Sequence, residues 1–346
     1  MQKKKGKRLT LLSQKEIEQL FNQLDTSAQL LQKELDVSYL EALSETGENI
    51  LGNKIPHQID DVPSDEVVGK LTQIYKEVAL DSMEAEDIRK AIQLALLKAS
   101  KTDVLQPNHQ MTPDAIGFIL NYLIEKLISG KLEKVRLLDP AVGMGNLLST
   151  VYNGLVSKKI SVEAEGVDND DLLLTLASVS TTMQRQNVTL THQDAIQDLL
   201  MDPVDVVVSD LPVGYYPLDE KAEKFKTAAK NGHSYAHHLF IEQSLHYLKD
   251  GGFGIFLVPA QLFETDETPG LMKMIQEEAF LQGMLNLPNE LFKTRNSRKS
   301  ILVIQKKGNN VKQAKQVLLA QIPDFKNQKA MLKFMQEVDS WKKENI

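Results

Sequence analysis

Leu137-Leu138-Asp139-Pro140-Ala141-Val142-Gly143-Met144-Gly145-Asn146 carries an apolar strand through an acidic residue and a turn with two glycines into a helix. Glycine adopts positive φ without a Cβ clash, so such a turn lets a ligand approach the backbone at a helix N-terminus. Val162-Glu163-Ala164-Glu165-Gly166-Val167-Asp168 reads as the next strand. An acid at its carboxyl end is placed to accept both hydroxyls of a ribose, whereas Glu163 and Glu165 read as solvent-facing. A dinucleotide fingerprint needs a third glycine three residues after Gly145, and that position is Leu148. The turn therefore argues against a docked pyrophosphate and for a smaller adenosine-bearing cofactor. S-adenosyl-L-methionine (SAM) fits, with an amino acid at one end, an adenosine at the other and no phosphate. Asp194, after the following strand, has two readings: acceptor of an adenine amino group, or cap of a helix.

Outward from this turn, β-rich segments at 135–139, 162–168, 187–191, 204–209, 253–258, 282–287 and 300–305 alternate with helical periodicity. Strands separated by helices imply right-handed crossovers and a mostly parallel sheet covered on both faces. The last two strands are joined by a loop without a helix, which implies a final antiparallel hairpin. Beyond them a strand over Val317 to Ile322 and a helix over about 327–343, anchored by Trp341, are expected. Upstream, Thr112-Pro113 reads as an N-cap with proline at the first helical position, followed by a buried face of Ile116, Ile119, Leu120, Leu123, Ile124 and Leu127. Residues 1 to about 105 read as helical. Ser13 with Glu16 forms a capping-box pattern before Ile17, Leu20, Phe21 and Leu24, and the spacing repeats at Val67, Leu71, Ile74, Tyr75 and Val78 and at Ile88, Ile92, Ala95 and Leu96. Gly52 to Asp65, with Pro56 and Pro63, reads as a loop. The expected division is a helical domain over 1–105, an α/β domain over 106–310 and an extension over 311–346.

With 346 residues, 42% hydrophobic and 25% charged, the composition is that of a globular protein with ample core. The longest apolar run, around Phe253 to Ala260, falls far short of the roughly 20 residues that span a bilayer, so no membrane association is expected. Lys3, Lys4, Lys5, Lys7 and Arg8 are not followed by an apolar stretch, so they read as a solvated tail and not a secretory signal. Cysteine is absent, which excludes disulfides, thiolate catalysis and Cys-ligated zinc, and the expected compartment is the cytoplasm. The net charge of −7 argues against a stand-alone nucleic-acid binder, although a local basic channel remains compatible with it. His233, His237 and His238 precede an apolar helix start, and with no third metal ligand placed by the sequence they read as helix packing. Lys293, Arg295, Arg298 and Lys299 form a basic loop between the last two strands, read equally as a phosphate contact or a solvated hairpin.

Val206-Val207-Val208-Ser209-Asp210-Leu211-Pro212-Val213-Gly214-Tyr215-Tyr216-Pro217 ends a strand in Asp-x-Pro at the edge where open α/β sheets bind ligands. With this segment in place, the chain resembles the N6-adenine DNA methylase family, in the manner of the modification subunits of type I restriction systems. The resemblance covers about residues 105–305. Gln110-Met111-Thr112-Pro113 resembles the segment before the first strand, Asp139 through Gly145 the SAM loop, and Asp168 the ribose acid. Asp210-Leu211-Pro212-Val213 stands at the Asn/Asp-Pro-Pro-aromatic motif, Gly251-Gly252-Phe253 through Pro259 at a later strand, and Leu287-Pro288 with Phe292 at the closing segment. The resemblance implies an α/β, Rossmann-like, seven-stranded SAM-dependent methyltransferase fold with an N-terminal helical domain. It implies cofactor contacts from Thr112, Asp139, Ala141, Gly143, Gly145, Asn146, Asp168 and Asp194, and an acceptor site of Asp210, Leu211 and Pro212.

By that resemblance the Asp210 side chain and the Leu211 carbonyl would bind the N–H groups of an exocyclic amine such as adenine N6 in DNA and aim its lone pair at the methyl group. An aromatic face would stack on a base flipped out of the duplex. Here the sequence departs from the family: Leu211 replaces the first proline and Val213 the aromatic, leaving Tyr215 or Tyr216 as alternative stacking faces. The residues after 305 are too few for a target-recognition domain, so a partner subunit or the N-terminal helices would have to read DNA. Two alternatives follow from the departures: a SAM-binding regulatory or scaffold protein without catalysis, and a methyltransferase acting on RNA or a protein amide.

Overall fold

The computed structural model describes residues 2–130, 132–309 and 311–346, apart from the side chains of residues 1–11. The elements run α1 (Gln2–Leu35), α2 (Tyr39–Leu51), α3 (Asp65–Glu77), α4 (Ala85–Thr102), α5 (Asp114–Ile128), β1 (Lys134–Asp139), α6 (Asn146–Ser157), β2 (Ser161–Asp168), α7 (Asp171–Met183), β3 (Val188–His192) and β4 (Val204–Asp210). They continue through α8 (Asp219–Ala222), α9 (Ala236–Tyr247), β5 (Leu248–Pro259), α10 (Thr268–Glu278), β6 (Ala279–Asn286), β7 (Lys299–Lys306), β8 (Leu318–Gln321) and α11 (Gln328–Asn345).

The chain forms two compact units that do not follow one another in sequence. The first contains the chain up to Thr112 together with Gly143–Asn153 and Asp170–Leu190. The second contains Pro113–Val142, Gly154–Asn169 and Thr191–Ile346. Sequence patterning places its first boundary near residue 105 and assigns both later segments to the α/β domain.

In the first unit α1 packs on α2 and α4, and α2 packs on α7. Leu20, Leu24 and Leu31 of α1, Leu71 of α3 and Ile88 of α4 share one core with Met144, Leu173, Leu176 and Val179. The i, i+3, i+4 spacing of these residues makes one apolar stripe per helix. Gly47 of α2 marks the closest approach, because a Cβ there would stand 2.2 Å from Cγ1 of Val179. A buried Ser27 hydroxyl lies 2.8 Å from both the Thr46 and Tyr75 hydroxyls, which pairs all three away from water.

The second unit holds seven whole strands of the sheet in the order β2-β1-β4-β5-β7-β6-β8, while most of β3 falls within the first unit. β1 pairs in parallel with β2 and β4, and β4 with β5; β7 is antiparallel to both β5 and β6. The expected final hairpin is therefore present. The expected tail strand is the eighth, added in parallel to β6. Val, Ile and Leu fill the central strands because both faces are covered. Leu138, Val207, Phe256 and Leu302 join one cluster with α9 and α10 residues. Their sequence neighbours Leu137, Val206, Leu257 and Ile301 are also buried outside that cluster, and α5 packs on β5 as well.

Three local expectations are corrected. Ser13 does not cap a helix: α1 continues through it, and its hydroxyl instead donates to Asp87 of α4 at 2.7 Å. Pro113, and not Thr112, occupies the N-cap position of α5, so the proline stands one residue earlier than expected. The backbone from Gln2 onward belongs to α1, not to an irregular tail; the side chains of Lys3, Lys4, Lys5, Lys7 and Arg8 lie outside the described residues.

Candidate functional site

Three acids end three neighbouring strands of the sheet: Asp168 on β2, Asp139 on β1 and Asp210 on β4. Asp139 is buried to 1% exposure; its Oδ1 accepts the Ser209 hydroxyl at 2.6 Å and the Ala141 N–H at 3.1 Å. Burial pushes its carboxyl up to about 7, and the charges of Asp168 and Asp210 act in the same direction, against the two donors. Val142 N–H donates to the Val167 carbonyl at 3.0 Å and Gln193 N–H to the Asp168 carbonyl at 2.9 Å, so backbone bonds fasten the chain on either side of the β2 end. Glu163 and Glu165, read from sequence as facing solvent, are half-buried and pair with Lys134 and Arg136.

The Asp210 carboxylate pairs with the Lys299 ammonium, from the first residue of β7. Leu211 is buried, its N–H donating to the Leu257 carbonyl at 3.1 Å, whereas Val213 is exposed. The next residues form a short antiparallel bridge with the chain ahead of α9: Tyr216 N–H donates to the Ser234 carbonyl at 2.8 Å and Ala236 N–H to the Gly214 carbonyl at 2.9 Å. This bridge separates the two tyrosines that sequence leaves equivalent. Tyr216 turns inward and its hydroxyl donates to Asp194 at 2.5 Å. Tyr215 is 61% exposed and stacks on Tyr235, with centroids 4.9 Å apart and planes at 19°.

Asp194 accepts that hydroxyl on one oxygen and the Ile196 N–H, at 3.0 Å, on the other. The helix that the capping reading requires does not form; Asp194 instead opens a turn, its carbonyl accepting the Gln197 N–H at 3.0 Å. Behind Tyr235 lie His237 and His238 of α9, each with centroids 5.3 Å from it. Burial holds His237 down to about 3, with His238 and Lys299 adding to the effect, and burial holds His238 down to about 4, so both imidazoles are neutral at neutral pH. His233 is apart from them, exposed beside Asp219 at 2.9 Å.

The glycine turn belongs to the first unit. Gly143 has φ +51°, and a Cβ built on it would meet nothing within 4 Å. Gly145 has φ +79°, and a Cβ there would stand 3.1 Å from the Ala177 Cβ. Asn146 opens α6; its Nδ2 donates to the Thr112 carbonyl at 2.9 Å and its Oδ1 accepts from Arg89 at 2.9 Å. Nothing stands within 4 Å of the Cβ position of Gly143, which suits the approach of a ligand such as SAM to that backbone. Ser209, Tyr235, Arg89 and the pairing of Lys299 with Asp210 escaped sequence reading. The Asp-x-Pro strand end, the Tyr-Tyr pair and the basic loop carrying Lys299 were the sequence signals that pointed to the surroundings of Asp210.

Residues 110–344 match the N-6 DNA methylase family, and residues 18–100 match the YtxK N-terminal helical domain. The uncharacterized protein YtxK of Bacillus subtilis (strain 168) is 41% identical over 322 residues, covering 93% of this chain and 96% of that one. A Listeria monocytogenes crystal structure, assigned as a class I S-adenosylmethionine-dependent methyltransferase, is 46% identical, covers 94% of this chain and 99% of its own, and superposes with a TM-score of 0.87. The methyltransferase subunit of a type I restriction-modification system from Streptococcus thermophilus is similar in fold at 15% identity, covering 90% of this chain and 73% of its own, with a TM-score of 0.62.

Proposed function

The chain belongs to the N-6 DNA methylase family, and from that premise we propose that it transfers the methyl group of SAM to an exocyclic amino nitrogen, adenine N6 in DNA being the acceptor that the family likeness favours. The carrying observation is the sheet edge where Asp139, Asp168 and Asp210 end adjacent strands, with the exposed Tyr215 close by in sequence. When bound, SAM supplies a methyl group made electrophilic by its sulfonium. In this reading Asp168 accepts the ribose hydroxyls, and the backbone at Gly143 and Gly145 serves the same cofactor. Asp139, buried and bonded to Ser209 and Ala141, shapes the β1 end. Asp194 holds Tyr216 inward and so leaves Tyr215 turned out. Asp210 and the Leu211 carbonyl accept the amine's N–H groups, and Tyr215 takes the stacking role that Val213 does not fill. Holding both reactants in line supplies much of the rate. The test is incubation with labelled SAM and unmethylated DNA, followed by nucleoside analysis. N6-methyladenine that requires Asp210 supports the reading; labelled RNA or protein with unlabelled DNA moves the acceptor to those classes.

One observation favours a second reading. The acceptor-motif carboxylate is already paired with Lys299, as suits a SAM-binding regulatory protein without transfer. That reading expects SAM binding with no methylated DNA, RNA or protein. DNA reading by a partner subunit belongs to the first proposal, and co-purification with such a subunit tests it.

A further inference from the structure

We propose that Arg89 of the helical domain is a positioning residue for the cofactor turn, acting through Asn146. This rests on the SAM reading above. Arg89 lies on α4 and is 1% exposed, although a guanidinium keeps its charge at any physiological pH. Burying that charge is costly unless its donors are matched. Nε and Nη2 form a two-pronged pair with Glu86, both at 2.8 Å. Nη1 reaches away from Glu86 to the Asn146 side-chain oxygen at 2.9 Å.

Asn146 directly follows Gly145 and opens α6. Its amide has a fixed orientation: the oxygen faces a pure donor, Arg89, and the nitrogen faces a pure acceptor, the Thr112 carbonyl, at 2.9 Å. Turning the amide over would break both bonds. A second grip lies two helical turns on. Asn153 donates to Glu86 at 3.3 Å and to Gln184 at 2.9 Å, and residues seven apart share one helix face. The Arg89–Glu86 pair thus touches α6 at its start and two turns further on. Behind the turn, Met144 lies in the helical core and Gly145 abuts Ala177. The backbone that the cofactor approaches is therefore held by side chains of the N-terminal domain, and a prearranged site binds more tightly than one ordered on binding.

The experiment compares Asn146→Ala, Arg89→Met and Arg89→Lys with wild type. Readouts are SAM calorimetry, thermal unfolding without ligand, and hydrogen exchange with and without SAM. Asn146→Ala leaves the Arg89–Glu86 pair intact, so it decides the matter if Arg89→Met does not fold. The expected result is a loss of SAM affinity of about tenfold or more in Asn146→Ala, with partial retention in Arg89→Lys. In wild type, SAM is expected to slow exchange along residues 85–102, and in Asn146→Ala this protection disappears. Affinity within about twofold of wild type in a folded Asn146→Ala, with protection retained, overturns the proposal and leaves the cofactor reading standing. No SAM binding by wild type overturns the cofactor reading and this proposal with it.

Discussion

The Asp139 carboxylate accepts the Ser209 hydroxyl at 2.6 Å, from a neighbouring strand and in a place closed to water. The carboxyl stands near 7 when folded, against an ordinary value of 3.8. Between those values the folded protein keeps a proton that the unfolded chain releases. This group's contribution to stability is therefore greatest below about pH 4 and declines as pH rises through 7. Denaturant titrations across that range check it: Asp139→Asn should flatten the decline, and an unchanged profile would remove Asp139 as its source. Ser209→Ala deletes a donor to a buried acid and is expected to cost about 1–3 kcal/mol at pH 8.

Asp168→Ala removes the acid assigned to the ribose. Loss of a charged hydrogen-bond acceptor costs about 1.5–3 kcal/mol, or a roughly ten- to hundredfold weaker SAM titration, with NAD as the control ligand. Retained affinity would unseat Asp168 from this role.

Asp210→Ala is expected to abolish methyl transfer while SAM affinity stays within about threefold, since the assigned partner of Asp210 is the acceptor amine. Equal transfer by variant and wild type would end that assignment. Lys299→Met tests the ion pair: a gain in transfer means that the pair withholds the carboxylate, and a loss means that it orients it.

The two adjacent tyrosines should behave differently. Tyr215→Ala removes an exposed ring and is expected to weaken binding of an adenine-containing oligonucleotide by about 1–3 kcal/mol with little change in thermal stability. Tyr216→Phe breaks the bond to Asp194 and should lower stability by about 1 kcal/mol. Matching effects in both would mean that neither serves as a distinct stacking face.

Gly47→Ala drives a methyl into Val179, with an expected cost of about 1–3 kcal/mol, and adding Val179→Ala should recover part of it. Chemical denaturation of the two variants measures the coupling.

Much of the sheet was legible because its strands are short Val/Ile/Leu runs ending in acids, as at Leu137 to Asp139 and Val206 to Asp210. What escaped was non-local. Nothing near Asp139 in sequence announces Ser209, 70 residues on, because only the β1–β4 register brings them together. Lys299 was visible as part of a basic loop, but its partner Asp210 depends on β7 running antiparallel beside β5. The choice between Tyr215 and Tyr216 waited on the bridge to Tyr235. Ser13 misled because Ser-x-x-Glu also occurs inside a helix, where the hydroxyl found Asp87 on another helix.

The first unit is assembled from three separate stretches of sequence, the last of them ending at Leu190. A ribosome delivers residues in order, so the N-terminal helices emerge well before the segments that complete their core. Until Leu173, Leu176 and Val179 emerge, the apolar faces of α1, α2 and α4 lack part of their native cover. The newborn helical domain would thus be a natural client for chaperones, and an exchange of that domain between relatives at a single crossover point would leave its core half-inherited.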